Sequence, residues 1–366
     1  MEQNRRARLP WAIVLLIIVL CCAIAFAGAR GILSARSANS FASTRAMQIP
    51  GVQKLEVTVD GFVYYDGVSI SKVSSEGESM WNYMVGADAD FAVSDAGIAA
   101  WTGKKLTLID NATGKTGYSG NLDSEILSAC PGSEYVAVLT GPEHNSTIVL
   151  METGGRKVDS ITLSDQTVID YGFFYNDTLF WIMTLDTNGT APSCTVNTYR
   201  PGRRMVGSIS DGEQLLYSAI FQSTQIMVVG DTNLKVFTYN GTEEPEKRRL
   251  IYGYTLASVD DSSDTPLMAF VPSPQYDAQS VIRDVRLIRG DKERVVRMPY
   301  GCSALVAKGD RVYGFSGDGY VMIARMEQQK TEAYHLPIYY DKVYGVTGDG
   351  VAVLGSMDTV YLVRVQ

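Results

Sequence analysis

The stretch Ile126-Leu-Ser-Ala-Cys130, then Tyr135-Val-Ala-Val-Leu139, Thr147-Ile-Val-Leu-Met-Glu152-Thr-Gly-Gly155 and Lys157-Val-Asp-Ser-Ile-Thr-Leu163, decides how the chain is read. Its four short segments are rich in apolar and β-branched residues. Gly, Pro, Asn and Ser lie between them. Such runs bounded by turn formers read as strands, because branched side chains pack well on a pleated surface and Gly or Asn accepts tight turns. Four strands joined by hairpins occupy about 40 residues, the length of one blade of a β-propeller.

The pattern recurs along the chain. Related strands begin near Phe91, Tyr135, Leu179, Gln225, Pro266, Arg311 and Gly350, at intervals of 44, 44, 46, 41, 45 and 39 residues. A second unit reads 168–174, 179–183, 194–199 and 204–209, and a later one 304–307, 312–315, 320–325 and 331–336. Asp60-Gly61, Asp66-Gly67, Asn240-Gly241, Asp318-Gly319 and Asp349-Gly350 supply hairpin turns. The final unit holds three strands, 343–346, 351–354 and 360–365. Ring closure hides sheet edges, so a fourth strand is expected from Thr44–Ile49, before a first blade that opens at Leu55–Val59. The count is then eight blades, or seven if two weak units are one. A two-sheet sandwich is the competing all-β fold.

Leu106-Thr-Leu-Ile-Asp110-Asn-Ala-Thr-Gly114-Lys115 resembles the strand-turn signature of quinoprotein (PQQ-type) propeller repeats, and Met151-Glu-Thr-Gly-Gly155-Arg-Lys157 is a degenerate copy. The regular tryptophan of those repeats is mostly missing; Trp81 alone stands in a plausible outer strand. The layout also resembles bacterial single-pass membrane proteins with an exported quinoprotein-like domain. The resemblance implies the fold and no activity. Quinone-dependent members are associated with adjacent cysteines, and here the only such pair, Cys21-Cys22, lies in the apolar N-terminal segment.

That segment, 9–29, carries no charge, with Arg5, Arg6 and Arg8 before it and Arg30 after it. About 20 apolar residues cross a bilayer core as a helix. A cleaved signal peptide is the alternative, since Ala25-Phe-Ala27 and Ala27-Gly-Ala29 fit a cleavage site. The expected organisation is a cytoplasmic tail at 1–8, a transmembrane helix at 9–29, a Ser/Ala-rich stalk at 30–51 and the propeller at 52–366, outside the cytoplasm. The chain has a net charge of −8; residues 1–50 hold +5 and the remainder −13. An acidic domain argues against nucleic acid as a partner.

Candidate chemistry is sparse. The two histidines, His144 and His335, fall in a loop and an outer-strand pattern and read as solvated side chains. Cys130, Cys194 and Cys302 cannot all pair, and read as buried apolar thiols, with one disulfide as the alternative. Asp88-Ala-Asp90 and Asp260-Asp-Ser-Ser-Asp264 lack the spacing of a calcium loop and read as turn carboxylates. The sequons at Asn111, Asn145, Asn176, Asn188 and Asn240 read as turn residues before strands. Lys247-Arg248-Arg249, flanked by Glu243, Glu244 and Glu246, reads as a paired charge cluster.

No catalytic residue, cofactor or metal ligand is assigned. The expectation is a non-enzymatic scaffold that binds a membrane or envelope protein, or a ligand, at the plasma membrane. The alternatives are a sensory or regulatory ectodomain of a membrane complex and an enzyme that uses carboxylates of the central funnel.

Overall fold

The computed structural model describes residues 42–365 except 144, 223 and 275–280. The expected tail and span, residues 30–41 of the expected stalk, and His144 lie outside the described residues. Among the described residues no helix is long and apolar enough to cross a membrane.

The described chain forms eight four-stranded antiparallel sheets, the blades of a propeller. Blade 1 covers 54–84, blade 2 90–121, blade 3 126–164 and blade 4 167–210. Blade 5 covers 216–250, blade 6 254–302 and blade 7 304–335. Each begins with the strand nearest the central channel and ends with the outermost. Blade 8 takes three strands from 342–365 and its outermost from Ala42–Gln48, which pairs with Thr359–Val365 from Ala42 opposite Val365 to Gln48 opposite Thr359. The closing strand expected at Thr44–Ile49 therefore exists, two residues earlier, and the first blade opens at Lys54–Thr58.

One reading needs correction. Phe91 lies in the first strand of blade 2, Asp90–Val93, whereas the other repeat marks lie at second strands. Second strands begin at Gly61, Gly97 and Tyr135, so the first two intervals are 36 and 38 residues. Blades 1 and 2 have short strands and tight turns, and the apparent 44-residue first interval came from matching unlike strands.

The core is divided among the gaps between blades, because alternate residues of a strand point to opposite sheet faces. In Gly97–Thr102 of blade 2, Ile98 and Ala100 pack with Val63, Tyr65 and Ile70 of blade 1. Ala99 and Trp101 pack with Ile126, Ala129 and Val136 of blade 3. Central strands are thus apolar on both faces, and continuous runs such as Leu179–Met183 are buried throughout. The last gap is closed by Val351, Val353, Val360 and Leu362 against Phe62 and Val73 of blade 1, with Ile49 among them.

Two faces follow from this topology. The hairpin face carries the turns between first and second and between third and fourth strands. The crossover face carries the second-to-third turns and the connections between blades. Ala42, opposite Val365, lies at the hairpin-face end of blade 8. On the crossover-face connections the charged residues among those described are acids, including Asp66, Asp123, Glu125, Asp231 and Asp358, except for Lys104.

Candidate functional groove on the hairpin face

Many acids of the hairpin face are consumed in joining blades. Asp177 of blade 4 accepts hydrogen bonds from the backbone N–H and hydroxyl of Ser133 and from the N–H of Glu134, both in blade 3. Asp260 of blade 6 accepts the Gly309 N–H of blade 7 at 2.8 Å and faces Lys308 at 3.4 Å. Asp349 of blade 8 accepts from Ser75 of blade 1 at 3.0 Å and pairs with Arg364 at 2.7 Å. Asp60 pairs at 2.8 Å with Lys72, whose buried ammonium also donates to the Asn111 carbonyl of blade 2. Charged groups held this way fix the turns of the hairpin face.

Three cavities lie along this face between blades 2 and 6. The first, about 590 Å³, lies between Asp110, Thr113 and Lys115 of blade 2 and Ser133, Tyr135 and Thr153 of blade 3. The second, about 580 Å³, is walled by Tyr135, Tyr175 and Tyr239 and contains Arg200, Pro201 and Arg203. The third, about 650 Å³, opens into the channel between Cys130, Asp170, Tyr175, Phe221 and the turn Asp261–Asp264. Tyr135 belongs to the first and second cavities and Tyr175 to the second and third. Neighbouring cavities thus adjoin at a shared tyrosine, and the row of three is the groove of this face.

Tyr175 owes its place to an unusual turn. Tyr175, Asn176 and Asp177 have φ of +55°, +50° and +58°. Asn and Asp tolerate the left-handed region; Tyr does so at a cost of about 1 kcal/mol. Thr178 closes the turn, its hydroxyl donating to the Tyr175 carbonyl at 2.7 Å. The Tyr175 ring is left 52% exposed between two cavities.

The turn Arg200–Arg204 supplies the charge. Among the described residues no carboxylate lies within ion-pair distance of Arg200, Arg203 or Arg204. Arg45, Arg156, Arg248, Arg325 and Arg364 each hold one. An exposed guanidinium with free donors can grip a carboxylate or phosphate in a two-point fork.

The channel cavity offers different chemistry. The Asp170 side chain is exposed to the cavity, yet the protein around it desolvates the carboxyl enough to raise it from its ordinary value, against a hydrogen bond from the Tyr171 N–H. Asp261, also exposed to the cavity, is raised by the same desolvation, with the Asp260 and Asp95 charges adding to the push. Burial also pushes the Cys130 thiol up to about 12.

The residues singled out in the sequence are scattered. His335 is exposed on the outermost strand of blade 7, edge-on to Tyr320 with ring centres 5.0 Å apart. Cys194 and Cys302 are buried as expected, Cys130 is only half-buried because it borders the channel cavity, and all three described cysteines are free. Asp88 lies on the crossover face, while Asp90 pairs with Lys54 at 2.8 Å. Asp261 and Asp264 reach the channel cavity. Asn111 starts its hairpin turn as expected and is buried there, its amide donating across to the Ser94 carbonyl at 3.1 Å; Asn145, Asn176, Asn188 and Asn240 are exposed. Lys247 and Arg248 pair with Glu244 and Glu243, as read, while Arg249 turns to Asp291 and Glu293 of blade 6. The sequence reading missed Tyr135, Tyr175, Arg200 and Arg203. Arg200-Pro-Gly-Arg-Arg204 was visible as a basic turn without a neighbouring acid, in contrast to 247–249 with its flanking glutamates.

No protein-family model and no curated protein sequence matches the chain. Among solved structures it is similar to BamB from Moraxella catarrhalis, with TM-score 0.56, 15% identity, and 89% of this chain and 100% of that one covered. It is similar to the C-terminal WD40 domain of Sif2, with TM-score 0.61, 13% identity, and 89% and 100% covered. It is also similar to Sqt1 of Saccharomyces cerevisiae, with TM-score 0.57, 10% identity, and 89% and 98% covered. At these identities the likeness is one of fold, and the fold is a β-propeller, here with eight four-stranded blades.

Proposed function

We propose that this chain is a membrane-anchored, extracytoplasmic β-propeller that binds a protein segment in the hairpin-face groove, as a non-enzymatic scaffold of the cell envelope. The observation that carries the reading is the row of adjoining cavities that share Tyr135 and Tyr175. Tyr and Arg dominate protein recognition because they combine large contact area with directional donors, and the groove concentrates both. Propellers commonly serve as protein-interaction scaffolds.

The anchor rests on the uncharged stretch 9–29. The chain enters the propeller at Ala42, on the hairpin face. Residues 30–41 span at most ~40 Å when extended, so the groove would stay near the membrane from which the stalk arrives.

A photo-crosslinking residue at Tyr175 in native membranes tests the scaffold. A discrete adduct at Tyr175, and none at the exposed crossover-face residue Tyr339, is the expected result. Adducts at Tyr339 alone would sink it. Protease treatment of spheroplasts should degrade the propeller; protection until lysis would overturn the topology.

A second reading, a funnel-site enzyme, draws on Asp170 and Asp261, two raised carboxyls lining one cavity. Under the scaffold reading, Asp170→Asn with Asp261→Asn leaves the Tyr175 adduct and the growth of a dependent strain intact. Lost growth with an intact adduct would favour the enzyme.

A further inference from the structure

The groove is not chemically neutral. Its middle cavity places Arg200 and Arg203 among the rings of Tyr135, Tyr175 and Tyr239. Neither arginine has an ion-pair partner among the described residues, in a domain that otherwise pairs most of its arginines. Two acids share the cavity. Asp177 is buried and its carboxylate already accepts from Ser133 and Glu134. Glu134 is exposed and is not within ion-pair distance of either guanidinium.

We propose that this cavity binds an extended, carboxylate-rich peptide segment of a partner protein, with Arg200 and Arg203 gripping its acidic side chains and the three tyrosines flanking its backbone. This rests on the groove reading and names the partner's chemistry. Charge complementarity argues for it: the arginines are free to form two-point bonds that none of the described residues supplies. A peptide suits the site better than an anionic bilayer. The arginines lie in a recess about the size of a few side chains, which a flat headgroup layer does not fill.

The test uses the full chain in a non-ionic detergent. The probe is a fluorescein-labelled 12-residue peptide alternating Glu with Tyr and Gly, beside a version with Gln in place of Glu. The Glu peptide should bind at least about 10-fold more tightly than the Gln peptide, with affinity falling as salt rises. Arg200→Ala with Arg203→Ala should remove that preference and leave the thermal midpoint unchanged, since both side chains are exposed. Arg200→Lys with Arg203→Lys keeps the charge and loses the fork, so an intermediate preference is expected.

Equal binding of the two peptides, or a preference that survives the double alanine variant, overturns the proposal. Arginine-dependent binding of short-chain phosphatidylglycerol, with none of the Glu peptide, overturns it in favour of a lipid surface. If the Tyr175 adduct persists at full yield in the double alanine chain, the acidic-segment inference falls while the groove reading stands. If the Glu peptide binds through the arginines and Tyr175 yields no adduct, the groove reading falls instead.

Discussion

The indole of Trp81, on the outermost strand of blade 1, lies over Gly114, in the last turn of blade 2. A Cβ added to Gly114 would sit 2.6 Å from the ring, and the indole N–H donates to the Asn111 carbonyl at 3.1 Å. Gly114 has φ +69°, and Asp110 holds the turn by accepting the Thr113 N–H at 2.8 Å. The same relation recurs with other side chains. Tyr118 of blade 2 covers Gly155 of blade 3, and Val158 of blade 3 covers Gly202 of blade 4. The blades are thus interlocked at their rims, by contacts whose chemistry drifts from Trp to Tyr to Val.

Gly114→Ala is expected to destabilise the propeller by about 2 kcal/mol, from the strained backbone and from the clash with the indole. In a Trp81→Ala background the clash is gone and only the backbone cost of about 1 kcal/mol remains. Chemical denaturation of the four chains of this cycle checks it; simple additivity would show that the ring and the glycine are not coupled.

Lys235 and Asp211 form an ion pair at 2.6 Å with both side chains 4% exposed. Lys235→Ala strands a buried carboxylate and should cost about 3 kcal/mol. Burial alone would raise the Asp211 carboxyl, but hydrogen bonds from Lys235, the Glu213 N–H and Gln214 bring it below the usual range. A depressed carboxyl contributes stability that is present above its unfolded value of about 3.9 and lost as pH falls through the folded value. The gap in Tm between the parent chain and Asp211→Asn should therefore be constant from about pH 5.5 to 8 and narrow below about pH 4. A gap unchanged down to pH 2.5 would contradict the pairing.

Ala42–Gln48 covers the edge strand Thr359–Val365 along its whole length. Removing 42–48 should expose that edge, giving aggregation and loss of a single cooperative melt. Scattering and calorimetry check this. A shortened chain that stays monodisperse with its parent Tm would mean that closure does not depend on this strand.

Burial pushes the thiols of Cys130 and Cys302 up to about 12, and Cys194 also upward. Thiolate is the reactive form. In a chain carrying Cys21→Ser and Cys22→Ser, thiol reagents at pH 8 should modify neither Cys194 nor Cys302 within minutes, the half-buried Cys130 only slowly because its thiol is held protonated, and all three rapidly after denaturation. Rapid labelling of the native chain would disprove their burial.

The fold was legible because it rests on local, repeated signals. Strands such as Tyr135–Thr140 carry their own β-branched pattern, and turns such as Asp110–Lys115 carry the Asp, Thr and Gly that build them. Even the closing strand was legible, because a three-stranded final unit implies a missing edge partner. The groove was less legible. Tyr135 and Tyr175 read locally as one strand residue and one turn residue; only the left-handed turn at 175–177 and the docking of neighbouring blades set them at the borders of shared cavities.

What the sequence determined alone is therefore whatever depends on residues close along the chain: strands, hairpins, the repeat, the uncharged 9–29 stretch and the charge contrast between the N-terminus and the rest. Only the tertiary structure decided which charges are spent. Asp177, Asp260 and Asp349 look no different in sequence from Asp66 or Asp358, yet each is held by a residue in an adjoining blade. Arg200 and Arg203 were visible as a basic turn without a neighbouring acid, but only the fold shows that no described acid comes to them from elsewhere and that they stand in a tyrosine-walled recess. The physical reason is that pairing and exposure are set by distance in space. In a ring of blades, those distances come from inter-blade packing that neither residue specifies by itself.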